Sequence, residues 1–388
     1  MTATVTLPGA DGRLSELTLT PPPPIRPRPA GPITSRVAFA AAHVVPAVHA
    51  DNVPGAPAEI DWDSTLGFRR HLWSHGLGVA EAMDTAQRGM GLDWRCTREL
   101  IRRSAAEART AGGRIAAGAG TDQLGDGVGS LAEITAAYEE QTEVVEDSGA
   151  QVILMASRQL ARLAKSPEDY REVYDRLLDQ VAEPVVLHWL GPMFDPALTG
   201  YWGSPEVDVA AETVLCLIRD HAAKVDGIKV SLLDAEREKR LRAALPAGVR
   251  LYTGDDFNYP ELIRGDGEHH SDALLGIFAA IAPAASTALR ALDAGDLDGY
   301  DAAFAPTVPL ARHIFAAPTY YYKTGIAFLS WLGGHQPGFT MVGGLQNARS
   351  AVHLAGIVRL ADSAGLLPDV DLAAHRVRLF LETAGVPR

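Results

Sequence analysis

A lysine stands inside an apolar run at DGIKVS, with Ile228 and Val230 on either side of Lys229. Burial there disfavours the ammonium, lowers its pKa and yields the neutral amine that attacks a carbonyl carbon. On pattern alone a structural or ligand-pairing lysine remains open beside the nucleophilic one. His188, in PVVLHW, is of the residue type that titrates near neutrality and moves protons. Trp189 beside it could wall a pocket, stack on a sugar ring, or pack outward. Carboxylates recur at Glu81 and Asp84 in GVAEAMDTAQ and at Asp255 and Asp256 in TGDD. TGDD suits a polyol, a metal or a helix N-terminus. Glu81, Asp84, His188 and Asp255 together offer the ligand types of Mn²⁺ or Mg²⁺. A metal-dependent sugar isomerase, epimerase or lyase is therefore one alternative, and a barrel that only binds a metabolite is another.

These residues need elements to hold them. Short apolar runs at 37–45, 78–83, 114–119, 151–156, 184–189, 226–231, 249–254 and 272–278 read as strands. Amphipathic stretches separate them. TRELIRRSAAEARTAG ends on glycines, a usual helix stop. SPEDYREVYDRLLDQVA starts with Ser166 as cap and Pro167 at the first helical position, and SPEVDVAAETVLCLIRDHAAK repeats that start. Eight strand–helix units in succession predict a (β/α)₈ TIM barrel, with chemistry at the C-terminal ends of the strands. A dinucleotide-binding sheet is disfavoured, because GAGTDQ has Gln123 where the third glycine belongs. The expected organisation is an N-terminal, proline-rich arm over 1–33, a barrel over 34–283 and a C-terminal helical extension over 284–388. LTLT at 17–20 is a candidate strand within the arm, and PPPPIRPRPAG at 21–31 is a candidate extended segment.

Composition narrows the partners. With 35 Lys+Arg against 48 Asp+Glu the net charge is −13, and no basic cluster offsets it, so nucleic acid is disfavoured as a ligand. Two cysteines, Cys96 and Cys216, make neither a disulfide framework nor a thiolate zinc site. His71 and His75 in HLWSH have zinc-compatible spacing, yet they lie before the second strand, at the wrong end of a barrel. His269 and His270 precede the eighth strand, which puts them at that same end. The glycine-rich GGHQPGFTMVGG at 333–344 reads as a loop from which His335 could reach a site. No leader and no run of about 18 apolar residues stands out, so a cytoplasmic protein with no membrane partner is expected.

The run VDGIKVSLLDAEREKRLRAAL, then VRLYTGDD, DALLGIF and AIAPAASTALRALDAGD, resembles the dihydrodipicolinate synthase and N-acetylneuraminate lyase superfamily of class I aldolases. PVVLHW and GVAEAMDTAQ extend the resemblance to roughly 36–330. It implies that Lys229 forms a Schiff base, without an organic cofactor, in a homodimer or homotetramer. His188 stands where that family has a proton-shuttling tyrosine, and Thr85 where it has the second of two carboxylate-binding threonines. Asp84 replaces the first threonine, and Ala86-Gln87 replaces the following Gly-Glu, which makes Gln87, with Trp189 and Asp255, a substrate-binding candidate. A carboxylate at Asp84 opposes a keto acid: two unit charges about 4 Å apart cost about 4 kcal/mol at an effective dielectric of about 20. The expectation is a lyase of the class I aldolase type, acting on a sugar-derived carbonyl compound rather than simple pyruvate, unless a cation offsets Asp84.

Overall fold

In the computed structural model, residues 3–22, 32–125 and 127–386 are described. The expected extended segment at 21–31 lies almost wholly outside them. Two short strands come first, β1 (Thr4–Pro8) and β2 (Leu14–Thr18), paired as an antiparallel hairpin. Eight parallel strands follow: β3 (Ala38–Ala41), β4 (Gly78–Glu81), β5 (Ile115–Ala119), β6 (Gln151–Leu154), β7 (Val185–Leu190), β8 (Val225–Ser231), β9 (Arg250–Thr253) and β10 (Asp272–Leu275). They pair in chain order, and β10 closes on β3. The protein is a (β/α)₈ TIM barrel, and each of the eight apolar runs supplies one of its strands.

The outer layer is built from α1 (Trp62–Ser74), α2 (Trp94–Ala111), α3 (Leu131–Ser148), α4 (Arg158–Leu163), α5 (Pro167–Gln180), α6 (Val207–Asp220), α7 (Ala235–Ala244), α8 (Tyr259–Arg264) and α9 (Phe278–Asp293). Local chemistry sets their ends. Gly112 stops α2 in a left-handed conformation, φ 64°. Pro167 begins α5, where the Ser166 amide donates to Asp169 Oδ2 at 3.1 Å. The repeated Ser-Pro-Glu behaves differently: α6 begins only at Val207, with Glu206 at its cap and no side-chain bond there. The chain enters that region through left-handed Trp202 (φ 70°) and Gly203 (φ 89°), and a Cβ on Gly203 would lie 2.7 Å from Pro167 N. This close approach fixes the path ahead of Ser204 and delays the helix.

Alternation along the strands separates two cores. Phe39, Ala41, Ala80, Met83, Ala116, Ile153, Val186, Tyr252 and Leu274 fill the barrel interior. Their neighbours, including Val79, Leu187, Trp189, Ile228, Val230 and Leu251, face the helices. Glu81 follows inward-facing Ala80 and so points outward, where its oxygens accept from Arg69 Nε and Nη2 at 2.8 and 2.7 Å. Both side chains are fully buried. Arg69 Nη1 also donates to the His43 and Thr65 carbonyls, which ties α1 to the ends of β3 and β4.

Beyond the barrel come α10 (Leu297–Phe304), α11 (Thr307–Ile314), α12 (Tyr322–Leu332), α13 (Ala351–Ser363) and α14 (Val370–Thr383). The helix before them, α9, kinks at Ile281 (φ −119°), carries Pro283 inside it and continues through 283–284. The N-terminal hairpin rests on α13 and α14: Arg359 donates to the Leu7 and Pro8 carbonyls at 3.1 and 3.2 Å, and Arg378 to the Thr4 carbonyl at 2.7 Å. Among the described residues no helix is long and apolar enough to cross a membrane.

Removing one partner of a buried ion pair leaves the other charged and unpaired, at about 3–5 kcal/mol. Glu81→Gln is expected to lower the unfolding free energy by about that amount, read as a lower midpoint in urea denaturation. An unchanged midpoint would mean that Arg69 finds other acceptors.

Candidate active site

Strand register brings the first two functional side chains together. His188 on β7 is the direct neighbour of Lys229 on β8, which in turn lies beside Tyr252 on β9. Val186 and Tyr252 face the barrel interior, and alternation puts His188 and Lys229 on the same side. His188 is fully buried and Lys229 is 5% exposed. Neither ring nitrogen of His188 has a hydrogen-bond partner. A buried imidazole with two free nitrogens is costly in a packed core and serviceable beside a substrate. Gly254, just past β9, makes room for the lysine stem, since a Cβ there would sit 2.9 Å from Lys229 Cε and closer still to Ser231 Oγ.

The chain leaving β4 supplies the opposite wall. Ala82 adopts φ 52°, a left-handed conformation uncommon for a residue with a side chain. The kink carries Asp84 and Thr85 toward the mouth on a short 3₁₀ turn, Asp84–Ala86. Tyr322, the first residue of α12, meets both. Its hydroxyl donates to Asp84 Oδ2 at 2.7 Å and lies 2.6 Å from Thr85 Oγ1, which must then be the donor of that second bond. The Tyr322 ring stacks on Phe315 at 4.3 Å and meets Phe194 edge-on at 6.0 Å. Gly276 permits this closure, because a Cβ would approach the Tyr322 and Phe315 rings to 3.1 and 3.0 Å.

Burial and charge then set the protonation states. Burial drives the Lys229 amine below its ordinary value, opposed by Asp84 and Asp256. Burial drives Asp256 up to about 8, opposed by the Ile277 amide, which donates to its Oδ1 at 2.8 Å, and by Lys229. For Asp84 burial raises the value, but Lys229, Lys323, the Tyr322 hydroxyl and His188 together hold it below the usual carboxylate range. His188 is pushed well down by burial and by Lys229, with Asp84 opposing. Lys323, next to Tyr322 on α12, is lowered by burial to about 8, with Asp84 opposing. At neutral pH the mouth therefore holds an ionised Asp84, a protonated Asp256, a neutral His188 and a charged Lys323.

Several expected site residues lie elsewhere. Trp189 follows His188 by one position and so faces the helical layer. Gln87 adopts φ 65° and donates to the Val342 and Met90 carbonyls at 2.6 and 3.3 Å, holding the turn to the 333–344 loop. Asp255 accepts from the Phe257 and Asn258 amides and the Asn258 side chain, so it organises a turn before α8. With Glu81 bound to Arg69 outside the barrel, the set Glu81, Asp84, His188 and Asp255 does not converge. Among the described residues no three His, Cys, Asp or Glu side chains are grouped to hold a metal. His335 packs against His71 and Phe68 on α1, at 4.2 and 5.4 Å, away from the mouth.

Sequence alone does not bring three residues at the mouth together with Lys229. Asp256 is masked by its neighbour, as two adjacent carboxylates give no hint of which turns inward. Tyr322 and Lys323 belong to a helix whose every residue is buried. A signal exists there: a lysine in YKTGIAFLSWL is as expensive as one in DGIKVS, and the same burial argument applies to both.

The chain matches over residues 5–386 a family described as a protein of unknown function, DUF993. A search of curated proteins found no match. Among solved structures it is similar to a dihydrodipicolinate synthase from Aquifex aeolicus, at 12% identity and a TM-score of 0.64, covering 86% of this chain and 99% of that one. YagE, a prophage protein of the dihydrodipicolinic acid synthase family from E. coli K12 solved in complex with pyruvate, gives 13% and 0.66 over 85% and 99%. The chloride-inhibited dihydrodipicolinate synthase from Acinetobacter baumannii, complexed with pyruvate, gives 17% and 0.62 over 86% and 100%. At these identities the likeness establishes a shared fold.

The sequence has five lysines, which makes their titration separable. NMR of side-chain-labelled lysine should show two signals losing their charge below the ordinary range, one with a midpoint about 8 that Lys323→Met removes. Five signals all titrating near 10.5 would contradict the burial of both amines.

Proposed function

We propose that this chain, which belongs to the DUF993 family of proteins of unknown function, is a lyase of the class I aldolase type in which Lys229 forms an imine with a carbonyl substrate. The observation that carries this reading is the pairing of a buried amine with a buried, unpartnered imidazole on adjacent strands. A depressed amine pKa supplies the unprotonated nucleophile. The Lys229 nitrogen adds to the carbonyl carbon, the oxygen leaves as water, and a protonated imine results. In the cleavage direction His188 takes the proton of the substrate hydroxyl at the bond to be broken. The electron pair of that bond flows into the imine, giving an enamine and releasing the carbonyl fragment. Reprotonation of the enamine and attack by water on the imine then free the lysine.

His188 suits proton removal because it is neutral at physiological pH. The chain Thr85–Tyr322–Asp84 supports a proton relay, as each hydroxyl can pass its proton to the next acceptor. Asp84, with one oxygen held by Tyr322, leaves the other to accept from substrate hydroxyls. That favours a sugar-derived carbonyl compound over pyruvate. Lys323 nevertheless stands by as the cation that softens the repulsion Asp84 would exert on an acid. Imine chemistry of this kind uses no organic cofactor.

Borohydride is expected to trap a covalent adduct on Lys229 with glyceraldehyde, in higher yield than with pyruvate, and EDTA is expected to leave the yield intact. Lys229→Arg keeps the charge but loses the deprotonatable nucleophile, so the adduct mass should vanish. Absence of an adduct with every carbonyl tried, or an adduct mapped to another lysine, would overturn the imine assignment.

A further inference from the structure

We propose that Lys323 receives an anionic group of the substrate, a carboxylate or phosphoryl group set apart from the carbonyl that Lys229 engages; the inference rests on the imine reading. Lys323 is 1% exposed. Its ammonium has three donors, yet its hydrogen-bond partner is the Met90 sulfur at 3.2 Å, a weak acceptor. The Tyr322 ring, 5.3 Å away, adds a cation–π contact. Neither matches a carboxylate or phosphate in compensating a buried charge. Asp84 is near enough to be felt, but Tyr322 occupies one of its oxygens and no direct ion pair joins it to Lys323. The ammonium is built in and left under-satisfied.

Its surroundings show where the anion belongs. Lys229 feels Asp84 and Asp256, whereas Lys323 feels Asp84, Arg158 and Asp195. Asp84 is thus the carboxylate common to both lysines, and Lys323 packs on Met90, in the segment that Arg158 reaches. There Arg158, half-exposed, pairs with Asp195 at 2.5 Å and reaches the Gly89 carbonyl, one residue from Met90. A group bound at Lys323 therefore lies near the Arg158–Asp195 pair, whose charges cancel. The charge count agrees. Once Lys229 is a protonated imine, with Asp256 protonated, the imine and Lys323 carry two positive charges against one negative charge on Asp84. One anionic group on the substrate balances the pocket. Asp84 still receives hydroxyls near the carbonyl, so the substrate class is a hydroxylated carbonyl compound with a remote acid.

The test uses matched aldehydes in borohydride trapping on the full chain: succinate semialdehyde against butanal, and glyceraldehyde 3-phosphate against glyceraldehyde. In the wild type the anionic member of at least one pair is expected to half-saturate at a concentration lower by roughly tenfold or more. The pair with the larger preference identifies carboxylate or phosphoryl recognition. Lys323→Met should equalise the members of that pair, and Lys323→Arg should keep part of the preference. Equal trapping within both pairs by the wild type, or a preference that survives Lys323→Met, overturns the proposal. Should Lys323→Met not fold, the wild-type comparison decides alone. If the wild type traps no carbonyl at all, the imine reading fails by itself and the anion site is read separately from thermal melting. Inorganic phosphate or succinate should then raise the Tm of the wild type and not that of Lys323→Met, and identical responses overturn it.

Discussion

An amine kept inside a barrel of apolar strands has to be compensated, and that constraint shapes the whole mouth of this protein. Lys229 sits among Ile228, Val230 and the inward-facing Tyr252, and the one carboxylate of its own strand, Asp226, is taken by Arg250 and Tyr252. The balance comes from outside the strand. Asp84 arrives on a turn that requires a left-handed alanine, and Asp256 arrives on the turn after β9. Each added charge changes the others: Lys229 and Lys323 keep Asp84 ionised, while burial keeps Asp256 protonated. His188, beside Lys229 and near Asp84, stays neutral.

The helices beyond the barrel complete this arrangement. Tyr322 and Lys323 both come from α12, so the charge set is incomplete if the barrel is considered alone. Stacking on Phe315 and an edge-on contact with Phe194 fix α12 against the strand ends, and Gly276 leaves the space for it. Further out, α13 and α14 hold the N-terminal hairpin through Arg359 and Arg378. The same extension that covers the barrel mouth thus anchors residues from the other end of the chain.

Much of this is legible from residue order. The eight strand runs are readable because a parallel barrel strand is buried on both faces and so stands out as a short apolar segment. Lys229, His188, Asp84 and Thr85 can be singled out because polar residues interrupt those segments or the turns just after them. Trp189 and Glu81 stand among the candidates read from sequence, because alternation separates them from His188 and Ala80 only once the face of each strand is known. Asp255 and Asp256 are not separable, because a turn has no fixed period. Tyr322 and Lys323 lie beyond reach for a different reason: periodicity within a helix shows which face is buried, and α12 is buried all round. Nor does it show that the helix ends over a barrel mouth some ninety residues away in sequence.

The late position of α12 bears on how the protein is made. Synthesis delivers the strand carrying Lys229 well before the helix carrying Lys323, and the first hairpin waits for α13 and α14 before it can dock. Domains tend to fold from the N-terminus as they emerge from the ribosome. A barrel at that stage possesses the buried lysine but neither the tyrosine that binds Asp84 nor the second ammonium that helps to keep it ionised. Chains that end before α12 would carry an uncovered, unbalanced barrel mouth and an undocked hairpin. A balanced set of charges at the mouth is the last property this polypeptide acquires.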